Sequence, residues 1–189
     1  QTFSVLGAAA MALPLARLTN RGGRRLALSA GLITGLIGSV IAITGGSTKN
    51  IYLMLLGSFL VGAASASGYQ ARFAAIDLAT EDNRAKQLSL VVWGSTIGAV
   101  TGPNLMEPSG RIAESFGLPS LVGPYIVSAV TLGLAVLVIY IFLRPDPYLT
   151  AHKDAHATGT VIKKSFKETF AYIKSHSAAH FAIYSIAIG

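Results

Sequence analysis

Four stretches of this chain, Leu26 to Gly45, Ile51 to Ile76, Leu88 to Met106 and Ser120 to Leu143, each approach the ~20 residues that a helix rising ~1.5 Å per residue needs to cross a bilayer. Three of them contain no Asp, Glu, Lys, Arg or His, and the other contains only Arg72. Hydrocarbon offers no hydrogen-bond partner to a backbone, so runs of this kind must close their N–H and C=O groups internally. The expected fold is therefore all-α, a polytopic membrane protein built as a helical bundle. Charged residues make up only 12% of the chain and gather between the apolar runs.

Two shorter runs flank the four. Phe3 to Ala16 reads as the tail of a further span, and Ala178 to Gly189 as the start of another. Gln1 opens directly into the first run, without the basic segment or small-residue cleavage site of a signal peptide. The expected organisation is spans over 1–143, a cytoplasmic linker over 144–177 and the beginning of a span over 178–189. On this reading the chain is a section of a longer protein.

The connections differ in charge. Arg17 to Arg25, Asp77 to Lys86 and Arg144 to Ser177 hold twelve of the 15 Lys and Arg residues, whereas Gly46 to Asn50 and Glu107 to Pro119 hold only Lys49 and Arg111. The positive-inside rule assigns the first three to the cytoplasm and the other two to the opposite side, and every span then alternates correctly. In the last basic segment, Pro145 and Pro147 end a helix, and His152, Lys153, Asp154 and His156 follow in a polar stretch. Val161, Ile162, Phe166, Phe170 and Ile173 then recur at helical spacing among lysines, the pattern of a basic helix lying along a membrane surface.

This distribution excludes several function classes. The net charge of +7 sits between apolar spans instead of being spread over a polar surface with aromatics, which argues for a lipid bilayer as partner and against nucleic acid. There is no cysteine, no paired metal-ligand spacing, no phosphate-cradling Gly-rich loop and no nucleophile–base pattern, so neither an enzyme, a metal site nor a cofactor is expected.

The most specific local pattern is Ala16-Arg-Leu-Thr-Asn-Arg-Gly-Gly-Arg-Arg25. Gly22 and Gly23 suit a tight bend between two spans by tolerating positive φ, and Arg21, Arg24 and Arg25 can reach helix C-termini and acidic groups at the inner face. The stretch resembles the signature loop between helices 2 and 3 of the major facilitator superfamily, Gly-x-x-x-Asp-Arg-x-Gly-Arg-Arg. Asn20, Arg21, Gly23, Arg24 and Arg25 fall on its second half. Ala16 replaces the usual Gly and Asn20 the usual Asp, so position 20 can hydrogen-bond but carries no charge. The resemblance implies that the chain runs from the end of helix 2 to the start of helix 7 of a helical bundle of that type. It also implies that the inner-loop residues act in gating, and that 144–177 joins the two six-helix halves.

Three further patterns bear on function. Gly94, Gly98 and Gly102, followed by Pro103, place small residues on one helix face beside a bend, which suits close helix packing. They resemble the helix 5 motif of the superfamily's antiporter branches, typically drug and metabolite exporters, without the paired glycines that usually close it. Ordinary small-residue packing is the equal alternative. Gln70 and Arg72, toward the cytoplasmic end of their span, are candidates for a cavity or gate contacting an anionic solute, with snorkelling of Arg72 to the surface as the rival reading. Asp77 and Glu81 face the basic loop across the inner surface and suggest an ionic latch, against the alternative of a solvated turn.

The expected function is secondary transport of a small-molecule substrate by alternating access, proton-coupled export in a multi-pass protein of a bacterial inner membrane. An importer or facilitator of the same fold is the first rival, and a membrane enzyme or scaffold the second. No Asp or Glu lies mid-span in any of the four complete runs, so protons, if they are partners, require a carboxylate elsewhere in the protein.

Overall fold

The computed structural model describes residues 2–151 and Ser175. The chain divides into two compact units, 1–153 and 154–189, and every element below belongs to the first. The histidines at 152 and 156, the basic pattern from Val161 to Ile173 and the span expected from Ala178 lie outside the described residues.

The order is α1 (Thr2–Ser47), α2 (Ile51–Ile76), α3 (Glu81–Asn104), α4 (Met106–Ser115), a 3-10 turn (Ser120–Val122) and α5 (Gly123–Phe142). At ~1.5 Å per residue the 46 residues of α1 amount to about 69 Å of helix, more than twice a hydrocarbon core of ~30 Å. The element is two spans joined at one residue. Gly23, with φ 86° and ψ 176°, is its non-helical point, and the two arms fold back on each other so that Gly31 meets Leu15 across the pair. The ten-residue connection expected between Ala16 and Arg25 is thus corrected to a single break. Gly22 stays helical, so of the two glycines only Gly23 supplies positive φ.

The core is a seam of small residues. Gly31, Gly35, Gly38, Ala42 and Gly45 recur at three- and four-residue steps along the second arm of α1 and are buried against α2. A Cβ placed on Gly38 would lie 2.7 Å from the backbone nitrogen of Val61, and one on Gly57 would lie 2.6 Å from the carbonyl oxygen of Gly38. No side chain fits there. In lipid, where apolar burial gives no net drive between helices, such backbone-to-backbone approach supplies the dispersion energy that holds the pair. Ser39, buried in this seam, returns its hydroxyl to the Gly35 carbonyl at 3.0 Å. α5 joins through Leu132 at Gly35 and through a 2.8 Å hydrogen bond between Ser58 and Tyr125.

Among the described residues, three helical segments are long and apolar enough to cross a membrane: Thr2–Ser47, Ile51–Ile76 and Ser120–Ala151. The Leu88 to Met106 stretch is not among them, because its glycines, Ser, Thr and Asn dilute the apolar content. Its helix also starts earlier, at Glu81, where Glu81 and Asp82 meet the favourable N-terminal dipole. Among the described residues, α3 buries none of its own side chains. Beyond it, the connection expected between Glu107 and Pro119 is helical over Met106–Ser115, and the span expected from Ser120 begins with a 3-10 turn before Pro124 opens α5.

Gly57→Leu is expected to destabilise the purified membrane protein by roughly 1–3 kcal/mol through overpacking of the α1–α2 seam. Gly133→Leu, whose Cβ would meet open space, should shift the unfolding midpoint far less. Thermal unfolding in detergent, followed by size-exclusion chromatography, checks the difference.

Candidate functional site

The site forms where the Gly23 break, the end of α2 and the segment after α5 meet at one end of the bundle. Breaking α1 exposes the first N–H groups of its second arm, which begins at Arg24 with no capping side chain of its own, because the preceding residue is glycine. Asp146 supplies the cap from elsewhere in the sequence. Its Oδ1 accepts from Arg24 N at 3.2 Å and its Oδ2 from Arg25 N at 2.8 Å. The same carboxylate accepts from Tyr148 N at 3.0 Å and Leu149 N at 3.2 Å, capping the short helical turn that starts at Pro147. One carboxylate therefore caps two helix N-termini. A Cβ at position 23 would overlap it, so glycine is required there for space as well as for φ.

Arg24 makes the second tie. Its Nε donates to Asp77 Oδ2 at 2.8 Å and its Nη2 approaches Asp77 Oδ1 at 3.4 Å. The two side chains are only 14% and 16% exposed, and the guanidinium lies 5.6 Å from the centre of the Phe73 ring and 5.5 Å from that of Tyr148. Asp77 caps the C-terminus of α2, where the helix dipole disfavours an anion, so the arginine offsets a local cost as well as bridging two helices. Tyr148 closes the ring of contacts by donating its hydroxyl to Asn20 Oδ1 at 2.9 Å.

The structure thus brings together Asn20, Gly23, Arg24, Arg25 and Asp77. Arg21 is exposed and makes no ion pair among the described residues, and Glu81 sits exposed in the first turn of α3, apart from the Arg24–Asp77 pair. Asp146 is the residue that sequence reasoning missed. Pro145 and Pro147 were legible as helix stops, but Asp followed by Pro is also a helix-start signal, and that reading would have marked Asp146 as a cap.

Gln70 and Arg72 separate. Gln70 lines a groove of about 750 Å³ between the first arm of α1 and α2, together with Ser4, Ala12, Asn20, Tyr69 and Arg24. Its Oε1 lies 3.1 Å from the buried Thr19 hydroxyl, which also sits 3.0 Å from the Leu15 carbonyl. Arg72 does not line that groove and instead stacks over Tyr69, 5.7 Å from the ring centre. Gly94, Gly98 and Gly102 present a face on which added Cβ atoms would meet nothing, and Pro103 falls in the last turn of α3, just before Leu105 separates it from α4 at Met106.

Replacing Asp146 by Ala should destabilise the protein by about 1–3 kcal/mol, two cap losses at ~0.5–2 kcal/mol each with some relaxation. A double-mutant cycle of Arg24→Ala and Asp77→Ala should give a coupling energy of ~1–3 kcal/mol, read from unfolding midpoints. Additivity of the two changes would show that the contact contributes nothing.

The family model described as Major Facilitator Superfamily matches residues 1–189. The MFS-type transporter YdeG of Bacillus subtilis (strain 168) is 42% identical over 146 residues, covering 77% of this chain and 34% of that protein. YddS, an MFS-type transporter of the same organism, is 37% identical over 151 residues, covering 80% and 35%. The riboflavin transporter RfnT of Brucella anthropi is 31% identical over 160 residues, covering 82% and 38%. The chain spans about a third of the length of these relatives. No solved structure matches it.

Proposed function

The chain belongs to the Major Facilitator Superfamily, and from that premise we propose that it is the helix 2 to helix 7 portion of a secondary transporter working by alternating access, with proton-coupled export as its mode. The observation that carries the reading is the shared hub at one bundle end, where Asp146 and the Arg24–Asp77 pair tie both arms of α1, the end of α2 and the segment after α5 together. Such a hub makes this set of helices move as one body, which rocking around a midplane site requires.

In this account the hub faces the cytoplasm, the side the basic connections favour. Asn20 and Arg21, exposed beside it, form the edge that meets the opposite half when the inner side closes. The open glycine face of α3 is the surface on which a helix of that half packs, and Pro103 marks where the close approach ends. Export is favoured by the likeness of Gly94, Gly98, Gly102 and Pro103 to the antiporter motif. The groove beside Gln70 gives the moving body a mostly apolar recess with a few polar groups, Thr19, Asn20 and Gln70, next to the latch.

A second reading, movement of riboflavin or a related planar solute, is supported by the likeness to RfnT. Both readings are tested with the full-length protein in inside-out vesicles carrying an interior pH reporter and an imposed proton gradient. The panel comprises cationic, neutral and anionic drugs together with riboflavin.

Under the export reading, adding a transported drug dissipates the gradient, and the response falls at least tenfold in Arg24→Ala and Pro103→Leu variants. A response to riboflavin alone would replace drug export by the second reading. Silence across the panel would overturn proton-coupled export.

A further inference from the structure

On the side of α1 away from α2, a second groove of about 510 Å³ runs between the second arm of α1 and α5. Its walls are those of a lipid chain site. Leu26, Ala30 and Ile33 line the α1 side at helical spacing, with Ile37 continuing the same face, and Leu26, Ile33 and Ile37 are all exposed within the chain. The small Ala30 leaves the space between two larger neighbours. Nothing about this face is polar until its Arg25 end, where Arg25, Ser29, Tyr140 and Asp146 converge.

That end carries two arginines with no ion pair among the described residues. The Arg25 guanidinium lies 4.3 Å from the centre of the Tyr140 ring and that of Arg144 lies 5.5 Å from the same centre. Two like charges are thus held against one ring, which concentrates positive potential at this end of the groove. Neither arginine makes an ion pair among the described residues, and the buried Arg25 Nε and Ser29 Oγ have no hydrogen-bond partner there. The carboxylate that lines the groove, Asp146, accepts four backbone N–H groups and makes no side-chain ion pair with Arg25 or Arg144 among the described residues.

We propose that this groove binds an anionic phospholipid of the cytoplasmic leaflet, its phosphate held by Arg25, with Arg144 against the Tyr140 ring adding positive charge nearby, and one acyl chain lying along Leu26, Ala30 and Ile33. The assignment rests on the reading that this end of the bundle faces the cytoplasm. A basic pocket between two spans at the headgroup level, continued by an apolar trough, suits a lipid better than a free anion, because only a lipid uses both parts. An occupant here would brace α5 against the arm that carries the Gly23 break, without touching the Arg24–Asp77 pair.

Native mass spectrometry of the full-length protein, with dioleoyl phosphatidylglycerol or dioleoyl phosphatidylcholine added to the micelles, tests this directly. The wild type should keep one phosphatidylglycerol at collision energies that strip phosphatidylcholine. Arg25→Gln with Arg144→Gln should weaken that retention by about fivefold for each charge removed, while the matched pair Lys49→Gln with Arg111→Gln, on the other connections, should not. Ala30→Phe keeps both charges and fills the trough, so its loss of retention in protein that still elutes as a single species separates lipid docking from misfolding.

Equal retention of the two lipids, unchanged retention in the Arg25 and Arg144 variant, or displacement by millimolar inorganic phosphate would each overturn the proposal. The readout needs no substrate. A failure here therefore leaves the transport reading standing, and a failure to transport leaves this one.

Discussion

Where the α1 break meets the segment after α5, the contacts depend on one carboxylate that accepts four backbone N–H groups. A helix cannot turn back on itself at one residue unless the N–H groups freed by the break find acceptors, and in or near a membrane water is a poor substitute. Gly23 provides the dihedral angles and the empty space, and Asp146, more than a hundred residues later, provides the acceptor. The break and the segment after α5 thus stabilise each other. The Arg24–Asp77 pair then fixes the end of α2 to the same point, so three connections between spans converge on two carboxylates.

The remainder of the fold is held by different physics. Along the α1–α2 seam the contact is made by missing side chains, and its strength lies in how closely two backbones approach. α3 has no such seam within the chain. Its glycine face is open and it buries nothing among the described residues, and its apolar content is the weakest of the long helices. On the proposed alternating-access reading, the closed α1–α2 pair serves as the rigid interior and the open α3 as the face that meets the moving part.

The sequence made the spans legible because length and hydropathy are properties of the chain alone. It also marked where the first helix breaks, since Gly22 and Gly23 between two apolar stretches suit a bend and Gly23 supplies it. It misread the scale of the bend, because a positive-φ glycine can replace a whole loop only when a distant acceptor caps the freed N–H groups, and no local pattern contains that acceptor. Asp146 was hidden for the same reason: its proline neighbours advertised a helix end, and the helix start they also encode became visible only with α1 beside it. The Gly31 to Gly45 stripe was present in the sequence as a heptad-like spacing of small residues, yet without a partner its periodicity looked like ordinary apolar content.

Arg24 and Arg25 show how adjacent residues of one motif come to serve different neighbours. Successive positions on a helix point about 100° apart, so once Gly23 starts the second arm, the two side chains cannot face the same way. Arg24 turns toward α2 and is neutralised by Asp77, within a cage of Phe73 and Tyr148. Arg25 turns toward α5, where its guanidinium meets Tyr140 and makes no ion pair among the described residues. A substitution at Arg24 therefore strikes the joint between spans, while one at Arg25 leaves that joint paired and alters only how the bundle meets its surroundings. If the groove beside α5 holds an anionic lipid, the bilayer acts on the same helix turn as the latch, through the residue next door. The composition of the membrane would then bias how firmly α5 is braced against the break without any change in the contacts that form the latch itself.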